Sequence, residues 1–167
     1  LWDDVLVQYD ADDDKSAHFM GTIVSVPARS VPVGVSKYLI IDGQQRLTTV
    51  SILLAALRDT IDDNSSARIQ EVYLTNRFRD PEDTLKFVPT QIDRDRYRSI
   101  ILDRYVPDDQ SLMSEGYAYF KNQLLKGVDV LVHLAGTSTE QALEEIVDNN
   151  LLALIAIYEG ARRNEFP

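Results

Sequence analysis

Residues 38–57 read YLIIDGQQRLTTVSILLAAL, and the pattern of this stretch changes at Gly43. Before Gly43, the apolar run 39–41 is typical of a strand that is buried on both faces. After Gly43, apolar residues recur at helical spacing, namely Leu47, Val50, Leu54, Leu57 and Ile61. The opposite side of that helix carries Thr48, Ser51, Ala55, Arg58 and Asp62. The sequence therefore predicts a strand and a helix joined by the polar pentapeptide DGQQR at 42–46.

A second strand is predicted upstream, at residues 18–26 (HFMGTIVSV), where β-branched and aromatic residues are enriched. Gly21 interrupts this run. A glycine inside a strand pattern indicates a place where another group approaches the backbone closely. We expect this strand to lie beside the strand at 37–42.

Further strand-like segments follow the central helix. Residues 71–75 and 84–89 flank a predicted loop or wide hairpin that contains Pro81. Residues 151–158 (LLALIAIY) are also strand-like, whereas residues 128–135 fit a strand or a helix equally well.

Helices are predicted over most of the second half of the chain. The helix at 93–105 is expected to bury Tyr97, Ile100, Ile101 and Tyr105. A second helix at 115–126 is expected to be capped by Ser114 and closed by Gly127, and a third covers 138–149. Because strands precede helices, we predict an α+β fold: one domain over 1–167, α+β to about residue 90 and mainly helical from about residue 91.

Composition limits the classes of protein to which this chain can belong. With 167 residues, 44% of them hydrophobic, the chain can bury the core of one domain. The absence of cysteine excludes disulfides and thiolate metal sites. Because 27 acidic residues outnumber 17 basic ones, any contact with DNA is expected to be local.

No apolar run reaches the roughly 18 residues of a membrane span, so we expect a cytoplasmic protein. A chain running from Leu1 to Pro167 is expected to be a piece of a longer polypeptide.

The pentapeptide is a candidate anion site. A glycine between a strand and a helix start places backbone N–H groups and the positive end of the helix dipole together. Arg46 can bind a phosphate with two hydrogen bonds, and Gln44 and Gln45 supply donors and acceptors. Asp42 could cap the helix, hold Mg²⁺ or orient Arg46. An Asp-capped turn without a ligand is the structural alternative.

Other candidate sites are weaker. Asp10, Asp12 and Asp14 alternate as in a calcium loop, but the loop lacks the glycine and glutamate that such a loop needs, so we reject calcium there. The only histidines, His18 and His133, do not make a metal cluster. The mixed-charge region from 77 to 104 is by default a salt-bridged surface. Arg94, Arg96 and Arg98 are candidate DNA-phosphate contacts if folding places the opposite charges on different faces.

The segment 38–57 resembles the signature of the GmrSD-type restriction endonuclease N-terminal domain family, whose DGQQR motif is followed by LTT and an apolar helix. All five motif residues stand at 42–46. HFMGTIV at 18–24 and LKFVPTQIDRDRYRSII at 85–101 are similar to further family segments. The resemblance implies a ParB/sulfiredoxin-like fold, in which the motif helix packs on a small mixed sheet.

The resemblance also implies a function and a set of site residues. It implies binding of a nucleoside triphosphate with Mg²⁺ through Gly43, Gln44, Gln45, Arg46 and Thr48. Hydrolysis would involve Asp42, Gln45 and Arg46, with Asp42 as the metal ligand. The expected setting is bacterial phage defence by DNA restriction, with the DNA cut by a separate nuclease domain or subunit. The alternative is a non-enzymatic DNA- or protein-recognition module in which DGQQR is a structural turn.

Overall fold

The computed structural model describes residues 1–3, 21–28, 37–61, 63–76 and 83–135. These described residues contain two strands, β1 (Val24–Pro27) and β2 (Tyr38–Asp42). From residue 21 onward, the described α-helices are α1 (Gln44–Arg58), α2 (Asp63–Ile69), α3 (Gln91–Ile101) and α4 (Leu112–Ala135). A π-helical turn at Gln70–Leu74 follows α2. The described residues fall into two compact units, one up to Leu47 and the other from Thr48 onward. The predicted α+β class is confirmed.

In the first unit, β1 and β2 pair as an antiparallel hairpin, as expected for neighbouring strands. The prediction that β1 begins at residue 18 is wrong for residues 21–23, which are not extended strand. Gly21 has φ +94°, which a regular strand does not allow. The predicted burial of β2 on both faces is also wrong. Leu39 and Ile41 are more than half exposed, because a two-stranded sheet leaves both faces open unless another layer covers them.

Helix α1 begins earlier and ends earlier than its apolar period predicts. It contains the last three motif residues in its first turn and stops at Arg58 instead of Ile61. The next helix, α2, begins at Asp63. All side chains from Ile52 to Arg58 are buried, so the predicted polar side of the helix is buried at Ala55 and Arg58.

The described core of the second unit has side chains from α1, α2, α3 and α4. Tyr97 on α3 is 1% exposed and packs edge-on against Phe87, with 5.7 Å between ring centroids. Burial raises the pKa of Tyr97 to about 12. The other core residues that the structure describes are Ile52, Leu53, Leu54, Ala55, Ala56, Leu57, Ile69, Leu74, Leu85, Ile100, Ile101, Met113, Tyr117, Phe120 and Leu124.

The strand predicted at 71–75 is wrong over most of its length, because 70–74 is a π-helical turn that continues α2. The N–H of Thr75 donates to the carbonyl oxygen of Gln70, 2.8 Å away, which closes the wide turn. The described residues on either side of the predicted loop are nevertheless paired. Thr75 forms an antiparallel bridge with Leu85, and this single bridge is the only strand-like pairing described within 84–89.

Helix α3 ends four residues before the predicted Tyr105. Arg104 has φ +52°, and the N–H of Tyr105 turns back to the carbonyl oxygen of Ser99 at 3.0 Å. The predicted burial of Tyr105 is therefore wrong: the turn takes it off the helix, and it is 59% exposed. Tyr97, Ile100 and Ile101 are buried as predicted.

Helix α4 is longer than predicted at both ends. Its cap is Ser111, whose Oγ accepts the N–H of Ser114, so Ser114 lies inside the first turn. Gly127 does not close the helix, which continues to Ala135 and so resolves the open assignment of 128–135 as helical. A glycine inside a helix costs only about 1 kcal/mol relative to alanine, which neighbouring turns can offset.

Asp109 connects α3 to the start of α4. Its carboxylate accepts hydrogen bonds from Ser111 Oγ (2.6 Å), Ser114 Oγ (2.8 Å) and Arg96 Nε (2.5 Å). These bonds, led by that of Ser111, hold the pKa of Asp109 well below its usual range. A lowered folded-state pKa contributes stability that is complete above the unfolded-state pKa and is lost as pH falls through the folded-state value.

We therefore expect Asp109→Asn to lower the melting temperature at neutral pH. The variant should also lose part of the acid-induced fall in melting temperature, because the amide does not titrate. Thermal melts from neutral pH into acid measure both effects. The exposed neighbour Asp108 supplies the matched control, Asp108→Asn, which should melt like the wild type; an unchanged acid profile for Asp109→Asn would contradict the role of this carboxylate.

The helix predicted at 138–149 and the strand at 151–158 lie outside the described residues, as do Asp10, Asp12, Asp14 and His18. Within the described residues, no helix is both long and apolar enough to cross a membrane.

Candidate functional site

The motif lies at the junction of β2 and α1, as predicted. A bulge between the Val24–Asp42 pair and the Ser25–Ile40 pair breaks the strand register next to the junction. Bulges of this kind redirect side chains at the end of a strand. Gly43 then turns the chain with φ +93°, and its carbonyl oxygen accepts the N–H of Leu47 at 3.1 Å. Gly43, and not Asp42, therefore occupies the capping position of α1.

Arg46 makes the main contacts of the motif. Its Nη2 donates to Asp42 Oδ2 at 2.9 Å and to the carbonyl oxygen of Thr22. The Asp42 side chain is 68% exposed and that of Arg46 is 37% exposed. Of the three roles open to Asp42, orientation of Arg46 is the one that these contacts display.

Two glycines border the guanidinium of Arg46, and we call Gly21 and Gly43 together the glycine cradle. A Cβ added to Gly21 would lie 2.9 Å from Arg46 Nη1, and one added to Gly43 would lie 3.3 Å from Nη2. The close approach predicted for Gly21 is thus confirmed, and Arg46 is the group that approaches. Arg46 Nε is buried and forms no hydrogen bond among the described residues.

The other predicted nucleotide-binding residues lie along the first two turns of α1. Gln44 is half-buried, and its side-chain Nε2 donates to the carbonyl oxygen of Ile40 at 2.8 Å. That bond ties the first residue of the helix to β2. Gln45 is exposed, and Thr48 is half-buried one turn further along. Gln45 is thus exposed to solvent one residue before Arg46, and the amide of Gln44 has the Ile40 carbonyl as a structural partner.

The three arginines predicted to contact DNA are not equivalent. Arg96 forms an ion pair with Asp109, with 2.5 Å between Nε and Oδ2. Arg94 and Arg98 stand one turn apart on α3, so they share a helix face. Arg94 is exposed and Arg98 is half-buried. The structure therefore separates Arg96 from the other two, for which DNA contact stays a prediction.

Sequence reasoning missed a buried polar cluster in the second unit, which we call the Arg58 cluster: Arg58, Asp59, Gln70 and Tyr117. The Arg58 side chain is 0% exposed and pairs through Nε and Nη2 with both oxygens of Asp59, at 2.7 and 2.6 Å. Tyr117 donates to Asp59 Oδ2 at 3.0 Å. Burial and the adjacent carboxylate raise the pKa of Tyr117 above its ordinary value.

Arg58 also binds the end of another helix. Its Nη1 donates to Gln70 Oε1 (2.5 Å) and to the carbonyl oxygen of Ile101 (2.8 Å), and its Nη2 donates to that of Ile100 (3.1 Å). The last carbonyls of a helix lack partners within the helix, so a buried guanidinium is well suited to satisfy them. Because the Arg58 side chain is 0% exposed and its bonds to the Ile100 and Ile101 carbonyls are buried, we assign the cluster a role in organising the fold.

Among the described residues, Asp42 is the candidate ligand for a metal ion. Nowhere within them do three or more histidine, aspartate or glutamate side chains come together as a metal-binding group. Asp42 stands as a single exposed carboxylate beside the guanidinium. Mg²⁺ takes most of its ligands from water and phosphates, so one carboxylate is a sufficient protein contribution only when a nucleotide supplies the rest.

Comparison with known proteins gives two kinds of match. A 41-residue segment, 25% of this chain, is 44% identical to a uronate dehydrogenase of Pseudomonas putida, and a 43-residue segment, 26% of the chain, is 42% identical to a uronate dehydrogenase of Pseudomonas syringae. These matches span only 15% and 16% of the dehydrogenases, so they do not carry a function to this chain. No solved structure matches.

The second match covers nearly the whole chain. The family model described as GmrSD restriction endonuclease, N-terminal domain, matches residues 1–163. The match includes the DGQQR motif and both described strands. The chain therefore belongs to the GmrSD restriction endonuclease N-terminal domain family.

Proposed function

We propose that this chain is the nucleotide-binding, NTP-hydrolysing regulatory domain of a DNA-restriction protein that acts in phage defence. The observation that carries the proposal is the pairing of Arg46 with Asp42 at the start of α1. The guanidinium stands at the positive end of a 15-residue helix and has an anion, Asp42, as its partner. The Asp42 carboxylate thus marks a position that a phosphate oxygen would take.

The exposure of this ion pair supports exchange of one anion for another. Exposed ion pairs are typically worth only about 0–1 kcal/mol, so Asp42 binds Arg46 weakly. A phosphate carries more charge than a carboxylate and gains from the helix dipole as well. We therefore expect a nucleotide phosphate to displace Asp42 from Arg46 Nη2 while the bond from Arg46 to Thr22 remains.

The residues of the site fit a nucleoside triphosphate. The glycine cradle leaves room for a planar guanidinium where any other residue would place a Cβ, and Arg46 Nε is a buried donor that lacks a partner among the described residues. Once released from Arg46, Asp42 would be the residue to hold Mg²⁺, which would neutralise phosphate charge. The exposure of Gln45 supports its proposed role, which is to donate to a phosphate or to orient a water molecule. Thr48 completes the proposed contacts.

The second candidate is a DNA-recognition module with a structural DGQQR turn. The specific observation in its favour is that Arg46 already has two partners, Asp42 and the Thr22 carbonyl. In that case, the exposed arginine Arg94, with Arg98 on the same helix face, is the expected phosphate contact. Salt-sensitive DNA binding that Arg94→Ala weakens, without any nucleotide binding, would replace the first proposal with this one.

Titration calorimetry of the four common nucleoside triphosphates, with and without Mg²⁺, tests the first proposal directly. We expect at least one of them to bind the full chain, and Mg²⁺ to increase its affinity. A phosphate-release assay on that nucleotide then tests hydrolysis. If none of the four binds under either condition, the nucleotide-binding proposal is contradicted.

Asp42→Asn separates the two roles proposed for Asp42. Without Mg²⁺, the variant should bind nucleotide about two- to fivefold more tightly, because the competing carboxylate of an exposed pair has been removed. With Mg²⁺, it should bind more weakly than the wild type, because the metal loses its protein ligand. The exposed aspartate Asp95 supplies the control, Asp95→Asn, which should change neither value. Equal affinities for Asp42→Asn and wild type under both conditions would remove Asp42 from the site.

A further inference from the structure

The segment before β1 contributes to the site through its main chain. Gly21 approaches Arg46 so closely that an added Cβ would lie 2.9 Å from Nη1, 3.3 Å from Cζ and 3.6 Å from Cδ. Separations below about 3 Å are steric clashes, since carbon and nitrogen atoms normally stand 3.5 Å or more apart when not hydrogen-bonded. The contact covers the guanidinium and the aliphatic stem, so any larger residue would displace the whole end of the side chain.

The next residue fixes the guanidinium from a second direction. The carbonyl oxygen of Thr22 accepts a hydrogen bond from Arg46 Nη2, the same nitrogen that contacts Asp42. Arg46 Nη2 therefore donates one hydrogen bond to the Thr22 carbonyl oxygen and one to the carboxylate of Asp42. A lysine could not reproduce this arrangement, because its ammonium is a point donor without a planar face.

Gly43 borders the other part of the guanidinium. Its added Cβ would lie 3.3 Å from Arg46 Nη2 and 3.0 Å from Ile23 Cγ1. Both cradle glycines have positive φ, +94° at Gly21 and +93° at Gly43, a conformation that favours glycine. Two segments that are far apart in sequence thus meet at one arginine, which buries Nε and leaves the side chain 37% exposed overall.

We propose that Gly21 is a positioning residue: its missing side chain lets the backbone of 21–22 hold the Arg46 guanidinium in one orientation, with Nη2 directed at the position that Asp42 Oδ2 occupies. Only the consequence for nucleotide affinity rests on the proposed function, because the orientation itself follows from the contacts. A pre-oriented guanidinium loses less conformational entropy on binding, which raises affinity without any added contact.

Hydrogen exchange at Arg46 Nε tests the proposal without any nucleotide. Arg46 Nε is buried, so its proton is protected from water. In NMR spectra of the ¹⁵N-labelled protein, the Nε–H signal of Arg46 is the one that disappears in Arg46→Lys. Gly21→Ala should speed exchange at this proton by about tenfold or more, because the displaced side chain exposes it to water. Exchange at Arg58 Nε, bonded to Asp59 in the second unit, should not change. Gly116→Ala is the matched control, since a Cβ there has nothing within 4 Å.

Unchanged Arg46 Nε exchange in Gly21→Ala, or equally faster exchange in Gly116→Ala, would overturn the proposal. If Gly21→Ala does not fold, we compare the folding of Arg46→Ala with that of the double variant Gly21→Ala/Arg46→Ala. This comparison separates a clash with the guanidinium from backbone strain at Gly21. Folding restored in the double variant supports a clash with the guanidinium, whereas an unfolded double variant assigns the cost to backbone strain at Gly21 and overturns the proposal.

If nucleotide binds the wild type, its affinity should fall about tenfold in Gly21→Ala. Absence of nucleotide binding in all variants would contradict only the proposed function.

Discussion

Arg58→Ala is expected to lower the free energy of unfolding by about 3–5 kcal/mol, the usual cost of removing one partner from a buried ion pair. The variant leaves Asp59, whose side chain is only 12% exposed, without its main cation. It also leaves the buried carbonyl oxygens of Ile100 and Ile101 without the donor that Arg58 supplies. Because typical domains have only about 5–15 kcal/mol of stability, much of the second unit's stability is at stake.

Urea denaturation followed by circular dichroism measures this loss. The matched control is Arg68→Ala, since Arg68 is an exposed arginine on the neighbouring helix α2 and should change stability by less than about 0.5 kcal/mol. Tyr117→Phe removes one hydrogen bond to Asp59 and should cost about 1 kcal/mol. A cost for Arg58→Ala no greater than that of Tyr117→Phe would contradict the central place of Arg58 in the cluster.

The Arg58 cluster also explains why part of the fold could not be predicted from the sequence. Helical spacing placed Arg58 on the polar side of α1, and a charged residue in that position normally faces solvent. Its partners come from residues 70 and 100–101, which only tertiary packing brings close. The π-helical turn at 70–74 was missed for a related reason. Val72 and Tyr73 in this turn favour strands. The side chain of Gln70, however, accepts a hydrogen bond from Arg58 and donates one to the Ile101 carbonyl, and these distant partners are not visible in the sequence.

The candidate site was more predictable, because its information is local. The change from a strand pattern to a helical period at Gly43 placed the motif at the β2–α1 junction, and the structure confirms that position. Gly21 also stood out in the sequence as a point of close approach. That Arg46 would be the approaching group was not predictable, since Gly21 and Arg46 belong to separate segments that come together only in the folded chain.

Arg46→Ala is expected to lower nucleotide affinity by about a hundredfold or more, since a charged hydrogen bond to phosphate contributes about 1.5–3 kcal/mol and its charge also balances the ligand. Arg46→Lys keeps the charge but loses the contacts with the glycine cradle and the fixed orientation at Thr22. We expect it to bind about tenfold more weakly than the wild type and more tightly than the alanine variant.

Calorimetric titration of the nucleotide that binds best compares these variants under one set of conditions. Arg94→Ala is the control, because Arg94 is an exposed arginine on α3 in the second unit and should leave affinity unchanged. Circular dichroism should find both Arg46 variants folded, since the lost ion pair with Asp42 is exposed and contributes about 1 kcal/mol at most. Wild-type affinity in Arg46→Ala would mean that the phosphates bind elsewhere, and that the contacts of Arg46 with Asp42 and Thr22 serve only to join α1 to β2 and to the segment before β1.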